Sequence, residues 1–165
     1  MQINVVKSDQ IMSKSYDFQR APGHLIRRAH QLSFAVFTDE TAGFRVTPVQ
    51  FAILNALMDE PGLDQVTLAA KVAFDAATSG SVIGRLEARG WIRREQDPQD
   101  RRRKLLWATE AGAKAALDMK DAAERVQTRL LAPLNPAEQE QLTVLLEKLV
   151  DGYAASPLTP PLANT

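Results

Sequence analysis

Apolar residues recur at helical spacing along most of this chain, and prolines mark where each run must stop. A proline has no N–H to donate and clashes inside a helix, so the proline-free stretches are where helices can run. The nine prolines stand at 22, 48, 61, 98, 133, 136, 157, 160 and 161. Residues 1–17 sustain no period and read as an N-terminal arm. In PGHLIRRAHQLSFAVFTDETAG, Leu25, Ala29, Leu32 and Val36 recur at helical spacing, and Gly43 can terminate the helix. TPVQFAILNALMDEPG is sharply bounded: Thr47 is a good N-cap, Pro48 suits the first helical position and Gln50 completes a capping box. This segment is apolar on nearly every side, which places it in the core.

Two short helices are predicted next. Asp64 can cap Gln65–Ala73, and Asp75 can cap Ala76–Arg89, which Gly90 ends; only a tight turn around Phe74-Asp75 separates them. That is a helix-turn-helix, whose second helix can enter a DNA major groove. Trp91–Glu95 and Arg103–Trp107 then read as strands joined by a turn containing Asp-Pro, so a hairpin wing follows the second helix. Thr109 caps a long helix predicted to run to about Leu131. Asn135-Pro-Ala-Glu138 is a second capping box, opening a last helix whose Leu142, Leu145, Leu146, Leu149, Val150 and Tyr153 follow i, i+3, i+4, i+7 spacing. The tail, 154–165, is proline-rich and expected to be flexible. The predicted fold is mainly α with a small β-hairpin wing (α+β). Residues 46–108 form a winged helix-turn-helix module, and 18–45 and 109–153 supply dimerisation helices.

Length and composition fit this picture. The chain has 165 residues, enough for one such module with its own flanking helices; 45% are hydrophobic and 24% charged, ordinary values for a globular protein with a true core. Twenty basic residues balance twenty acidic ones, so net charge is uninformative, but its distribution is not. Residues 93–104 hold six basic and three acidic side chains, net +3, which leaves the remainder at −3. There is no cysteine, which excludes disulfides, thiolate metal sites, cysteine nucleophiles and thiol redox switches. With two histidines besides, a structural zinc site is not expected, and neither is any cofactor. No apolar run approaches the roughly 18 residues of a membrane span, and the start has no signal-peptide block, so a cytoplasmic protein is expected.

The basic hairpin and the helix before it carry the candidate chemistry. Duplex DNA presents a dense row of phosphates, and neutralising each releases condensed counterions. Arginine also suits the narrow minor groove of A·T tracts. An isolated charge-rich turn would read as a solvated face; behind a helix-turn-helix it reads as a DNA-binding wing. Asp97 or Asp100 could pair with a neighbouring arginine and hold the loop in one shape. In the second helix, Val82, Ile83 and Leu86 can pack inward, while Thr78, Ser79, Ser81 and Arg85 suit base edges and phosphates or are ordinary surface groups. Gly80 and Gly84 are poor helix residues on one side, where a backbone could approach another helix or DNA.

Together these segments resemble the MarR family of winged helix-turn-helix repressors over about residues 22–153. The resemblance rests on TPVQFAILNAL, on Leu86-Glu-Ala-Arg-Gly-Trp-Ile-Arg-Arg94, on Asp97-Pro-Gln-Asp-Arg-Arg102 and on Thr109-Glu-Ala-Gly112. It departs at Ala108, where the family usually has leucine. The resemblance implies a homodimer of interlocked terminal helices, binding double-stranded DNA. It implies that Asp100 orients Arg102 into the minor groove, with Arg101 and Arg103 beside it, and that Thr78, Ser79, Ser81 and Arg85 lie on the recognition helix. The dimer also follows from physics, because a winged module cannot cover the apolar faces of the first, fifth and last helices. Two-fold symmetry then predicts a pseudo-palindromic operator.

Many members of that family release DNA on binding a phenolic or aromatic acid. Here His24, Arg27, Arg28 and His30 cluster on the first helix near Phe34 and Phe37. Arginine could pair with a carboxylate, histidine could donate to it or to a phenol, and phenylalanine could cover the ring. The alternative is that these are interface or surface residues. A ligand would act by population shift, favouring a dimer whose recognition helices are wrongly spaced. An enzyme is not expected, for no nucleophile–base constellation, phosphate loop or metal-ligand spacing is present. A winged helix that binds only protein is the remaining alternative, and the six-cation wing argues against it.

Overall fold

The computed structural model describes residues 16–73 and 76–153, with side chains of 76–78 outside that description. The predicted arm over 1–15, the Phe74-Asp75 turn with its Asp75 cap, and the tail from 154 lie outside the described residues.

A 3₁₀ turn, Phe18–Arg20, leads into α1 (Pro22–Glu40). The predicted cap of α2 (Pro48–Asp59) is present in full. The Thr47 N–H donates to Gln50 Oε1 at 3.0 Å, and the Gln50 N–H donates to Thr47 Oγ1 at 3.3 Å. A two-residue strand, β1 (Leu63–Asp64), precedes α3 (Gln65–Lys71), where Asp64 Oδ1 accepts from the N–H groups of Val66 and Thr67. Then come α4 (Ala76–Ala88), β2 (Ile92–Gln96) and β3 (Lys104–Ala108). The sheet is antiparallel in the order β1-β3-β2, with Leu106 of β3 opposite both Leu63 and Arg94. Strand β1 was not foreseen: two residues are too few to show a period.

Ile53, Leu54 and Leu57 of α2 meet Leu68 of α3, Ile83 and Leu86 of α4 and Leu106 of β3, all essentially buried. This core fixes α4 and the hairpin relative to each other. Burying each such side chain stabilises by about 1.5–3 kcal/mol.

The long helix predicted from Thr109 to Leu131 is instead two, α5 (Glu110–Asp118) and α6 (Lys120–Leu131). They are interrupted at Met119, whose N–H is shared between the carbonyls of Ala115 and Leu117 and whose side chain is fully buried. No proline or glycine marks the break, so apolar spacing alone could not reveal it. The join between the sheet and α5 is tight. Thr109 Oγ1 donates to the Gly90 carbonyl at 2.6 Å and accepts from the Gly112 N–H at 3.0 Å. A Cβ on Gly112 would lie 1.9 Å from the Trp91 carbonyl oxygen, so only glycine lets α5 approach the backbone just before β2 this closely.

Helix α6 packs along α1, where Arg125 and Arg129 hold Glu40 at 3.0 and 3.1 Å and Arg129 also pairs with Asp39. The Arg125 hydrogen bond, then that of Arg129, lowers the Glu40 carboxyl from its ordinary range. Helix α7 (Pro136–Asp151) has its predicted capping box but no buried residue. No helix among the described residues is long and apolar enough to cross a membrane.

Candidate nucleic-acid interface

Helix α4 divides as its sequence requires. Ile83 and Leu86 are buried and Val82 half-buried, while Ser81 and Arg85 are exposed on the outer side. Among the described residues, Arg85 has no ion-pair partner. Thr78 stands in the first turn, and its side chain lies outside the described groups.

Ser79 corrects the sequence reading. It is only 1% exposed, and its hydroxyl accepts from Gln65 Nε2 of α3 at 3.0 Å. It fastens the two helices of the motif together and cannot reach a base edge. Gly80 faces the same contact, its Cβ position 3.5 Å from Gln65 Nε2, whereas a Cβ on Gly84 would meet nothing within 4 Å. Within the protomer, then, α4 has open space at Gly84.

The wing turn is held by its own side chains. The nearly buried Asp97 Oδ1 accepts the N–H groups of Gln99 at 2.8 Å and Asp100 at 3.4 Å. Asp100 Oδ1 accepts the N–H of Arg102 at 3.0 Å. Gln96 Nε2 donates to the Arg101 carbonyl at 2.9 Å. Backbone bonds close the loop, Asp97 N–H to Arg103 O at 3.1 Å and Arg103 N–H to Asp100 O at 2.9 Å. Asp100 therefore shapes the turn through the backbone of Arg102, rather than by pairing with its guanidinium. Side chains that hydrogen-bond the chain two residues on fix such turns locally.

The six basic residues separate into two sets. Arg93 pairs with Glu95 and lies 5.3 Å from the Trp107 ring, Arg94 pairs with Glu87 of α4 at 3.0 Å, and Arg103 pairs with Asp64 at 2.5 Å. Arg101, Arg102 and Lys104 are exposed and, among the described residues, have no ion-pair partner. The wing thus offers three uncommitted cations, with Arg85 a fourth on α4. Lys104, one of the six cations the sequence placed in the hairpin, belongs with Arg101 and Arg102.

Sequence reasoning also missed Arg89. Its guanidinium donates to the carbonyls of Arg45 at 2.9 Å and Phe44 at 3.0 Å, and lies 3.6 Å over the Trp91 ring. It ties the exit of α4 to the connector between α1 and α2. No local pattern reveals a contact between residues 44 positions apart.

The candidate effector residues remain on α1. His24 is half-buried, its ring edge-on to Phe18 with centroids 5.0 Å apart. Arg27, Arg28 and His30 are exposed, and Phe34 is 48% exposed, beside the equally exposed Leu25, Ile26 and Leu32. Phe37 instead turns into the core, 5.9 Å from Phe51. Two clefts of the protomer exclude this cluster. One of about 600 Å³ lies between α3 and the wing; the other, about 260 Å³, is lined by Phe51, Asn55 and Met58 of α2, Leu117 of α5, and Lys120 and Glu124 of α6.

This geometry agrees with what the chain resembles. The sequence profile of the MarR family matches residues 46–103, from the end of the α1–α2 connector to the wing turn. The chain is 33% identical over 136 residues to the HTH-type transcriptional repressor NicR of Pseudomonas putida, covering 82% of this chain and 86% of NicR. This chain belongs to the MarR family. Two solved MarR-like structures overlie most of it. BpsR of Bordetella bronchiseptica, whose DNA binding is regulated by 6-hydroxynicotinic acid, matches with a TM-score of 0.80 at 36% identity, covering 84% of this chain and 99% of BpsR. PcaV of Streptomyces coelicolor, solved with its natural ligand, matches at 0.78 and 36%, covering 84% and 97%. As a MarR-family protein, the chain is a DNA-binding transcriptional regulator with a winged helix-turn-helix fold, not an enzyme.

Proposed function

We propose that this regulator is a homodimeric repressor, released from a pseudo-palindromic operator by a small hydroxylated aromatic acid. The observation that carries the DNA-binding part is the wing tip, where Asp97 and Asp100 fix the turn and the exposed guanidinium groups of Arg101 and Arg102 have no ion-pair partner among the described residues. In this reading residues 46–108 are the reading module, Arg102 enters the minor groove, and Ser81 and Arg85 face the major groove with Thr78. Residues 18–45 and 109–153 supply the dimer. The apolar residues that α1 and α7 leave exposed support that assignment, and two-fold symmetry then sets half-sites about one helical turn apart.

For the effector, the support is the ligand of BpsR together with the α1 cluster of His24, Arg27, Arg28, His30 and Phe34. Covering the α1 face with a second protomer would enclose these groups beside apolar side chains. A carboxylate could pair with Arg27 or Arg28, and a ring hydroxyl could bond His24 or His30. The test is thermal melting of the full chain with 6-hydroxynicotinic, nicotinic and benzoic acids, followed by displacement of a labelled promoter duplex. The hydroxylated acid is expected to raise the melting temperature and release DNA, with Arg28→Ala losing both responses but still binding DNA. No shift with any acid, or normal release from Arg28→Ala, overturns the effector assignment.

A further inference from the structure

The Asp64 carboxylate stands where three elements meet. Its Oδ1 caps α3, accepting from the N–H groups of Val66 at 2.9 Å and Thr67 at 3.0 Å. Its Oδ2 accepts from Thr67 Oγ1 at 3.1 Å and from Arg103 Nη2 at 2.5 Å. Arg103 leaves the end of the wing turn, and its Nη1 lies 3.8 Å from Asp97, the residue that shapes the turn. One guanidinium therefore joins the first helix of the DNA-reading motif to the loop that carries Arg101 and Arg102.

We propose that Arg103 is a positioning residue rather than a DNA contact, and that the Asp64–Arg103 pair is a latch setting the wing against α3. The proposal rests on the family's DNA binding and specifies how this wing is aimed.

The sheet explains why a latch is needed. β1 pairs with β3 only at Leu63↔Leu106 and Asp64↔Leu105; at Gln65 the chain turns into α3, so the ladder ends. Among the described residues, the wing beyond Leu105 has no backbone tie to the motif. Packing does not replace it, because the cleft of about 600 Å³ opens there between Gln65 and Thr67 on one side and Arg94 and Arg102 on the other. Arg103 reaches back across this gap. Burial pushes the Asp64 carboxyl up, but the donors from Thr67, Arg103 and Val66 more than offset that, and it titrates below its ordinary range. An exposed ion pair adds little to global stability, so the latch acts on wing geometry more than on the fold.

Asp64→Asn gives a test in which two explanations have opposite signs. Asparagine caps helices as well as aspartate does, so α3 keeps its start. Removing an acid from a DNA-facing surface would, through charge alone, tighten binding. A lost latch weakens it. The probe is a labelled duplex that the wild-type full chain selects from a randomised pool, with circular dichroism and melting as controls. Asp64→Asn is expected to bind about tenfold more weakly, the scale of one lost recognition contact, with an unchanged salt slope. Arg103→Lys, which keeps the charge but loses the planar fork, is expected to match it. Equal or tighter binding by a folded Asp64→Asn overturns the latch. If Asp64→Asn does not fold, Arg103→Lys decides: wild-type affinity overturns the proposal and weakening supports it. If the wild type selects no duplex at all, DNA binding itself fails and the latch falls with it.

Discussion

The wing turn and the α7 face are both exposed, but they hold the chain in opposite ways. At residues 97–103, Asp97, Asp100 and Gln96 bond backbone groups two to five residues away, so the loop is shaped before anything binds. On α7 the helix itself is well capped, yet Leu145 is 55% and Leu149 45% exposed, and no residue of the helix is buried. The wing fits a partner whose charges are fixed in space, where preorganisation lowers the cost of binding. The α7 face is an apolar stripe left unfinished by its own chain, the form expected of a surface completed by a second copy.

The largest effect should come from spoiling the unfinished face. Leu145→Glu with Leu149→Glu leaves the protomer's own core untouched but would place four carboxylates in a two-fold apolar contact. Burying an unpaired charge costs several kcal/mol. Sedimentation should shift from dimer to monomer, and affinity for a duplex carrying both half-sites should fall at least about 100-fold, since two linked modules then bind singly. A dimeric double variant would show that α7 is not the dimer contact.

The next effect lies at the joint between the two regions. Gly112→Ala puts a Cβ against the Trp91 carbonyl, a backbone group that cannot swing aside. Overpacking of this kind costs about 3 kcal/mol, or about 6–12 °C in Tm for a chain of this size. The wing and α5 should loosen together. A thermal melt indistinguishable from wild type would mean that α5 can withdraw from β2 without cost.

Within the wing, Arg102→Ala should weaken operator binding by about 1–3 kcal/mol and reduce the salt slope by about 0.9, with no change in melting. The two sets of cations sharpen this test. Among the described residues the Arg102 guanidinium has no ion-pair partner, whereas those of Arg93, Arg94 and Arg103 do, so the same change at Arg93 should alter DNA binding far less. Equal losses at Arg93 and Arg102 would erase the distinction between committed and uncommitted arginines.

What the sequence revealed follows the range of the interactions. Both capping boxes, the boundaries at Pro22, Pro48, Pro61, Pro133 and Pro136, and the hairpin are written within a few residues, and the structure has them, with each hairpin strand one residue later than predicted. The aspartates of the wing were recognised as shaping groups for the same reason. The failures are contacts between distant segments. A serine between Thr78 and Gly80 reads as a surface hydroxyl until Gln65, fourteen residues earlier, is folded against it. Arg103 reads as one more cation until Asp64, 39 residues away, is beside it. The Met119 break comes from the packing of a buried side chain, with no breaker residue to announce it. The proposed effector residues on α1 are legible as chemistry, but in the protomer Arg27, Arg28, His30 and Phe34 lie exposed on one helix.

The smallest predicted effect concerns acid, and it separates the flanking helices from the wing once more. Glu40 joins α1 to α6 through Arg125 and Arg129, and these bonds lower its pKa from the ordinary value of 4.5. A carboxyl lowered by folding contributes stability above its unfolded value, and that contribution disappears as pH falls through the folded one. Part of the stability should therefore be lost below about pH 4.5. In Glu40→Gln that part is already missing at pH 7. Urea midpoints measured at pH 7 and pH 3.5 should differ less in Glu40→Gln than in the wild type. Identical differences would show that this ion-pair cluster is decorative, leaving apolar packing to hold α1 on α6.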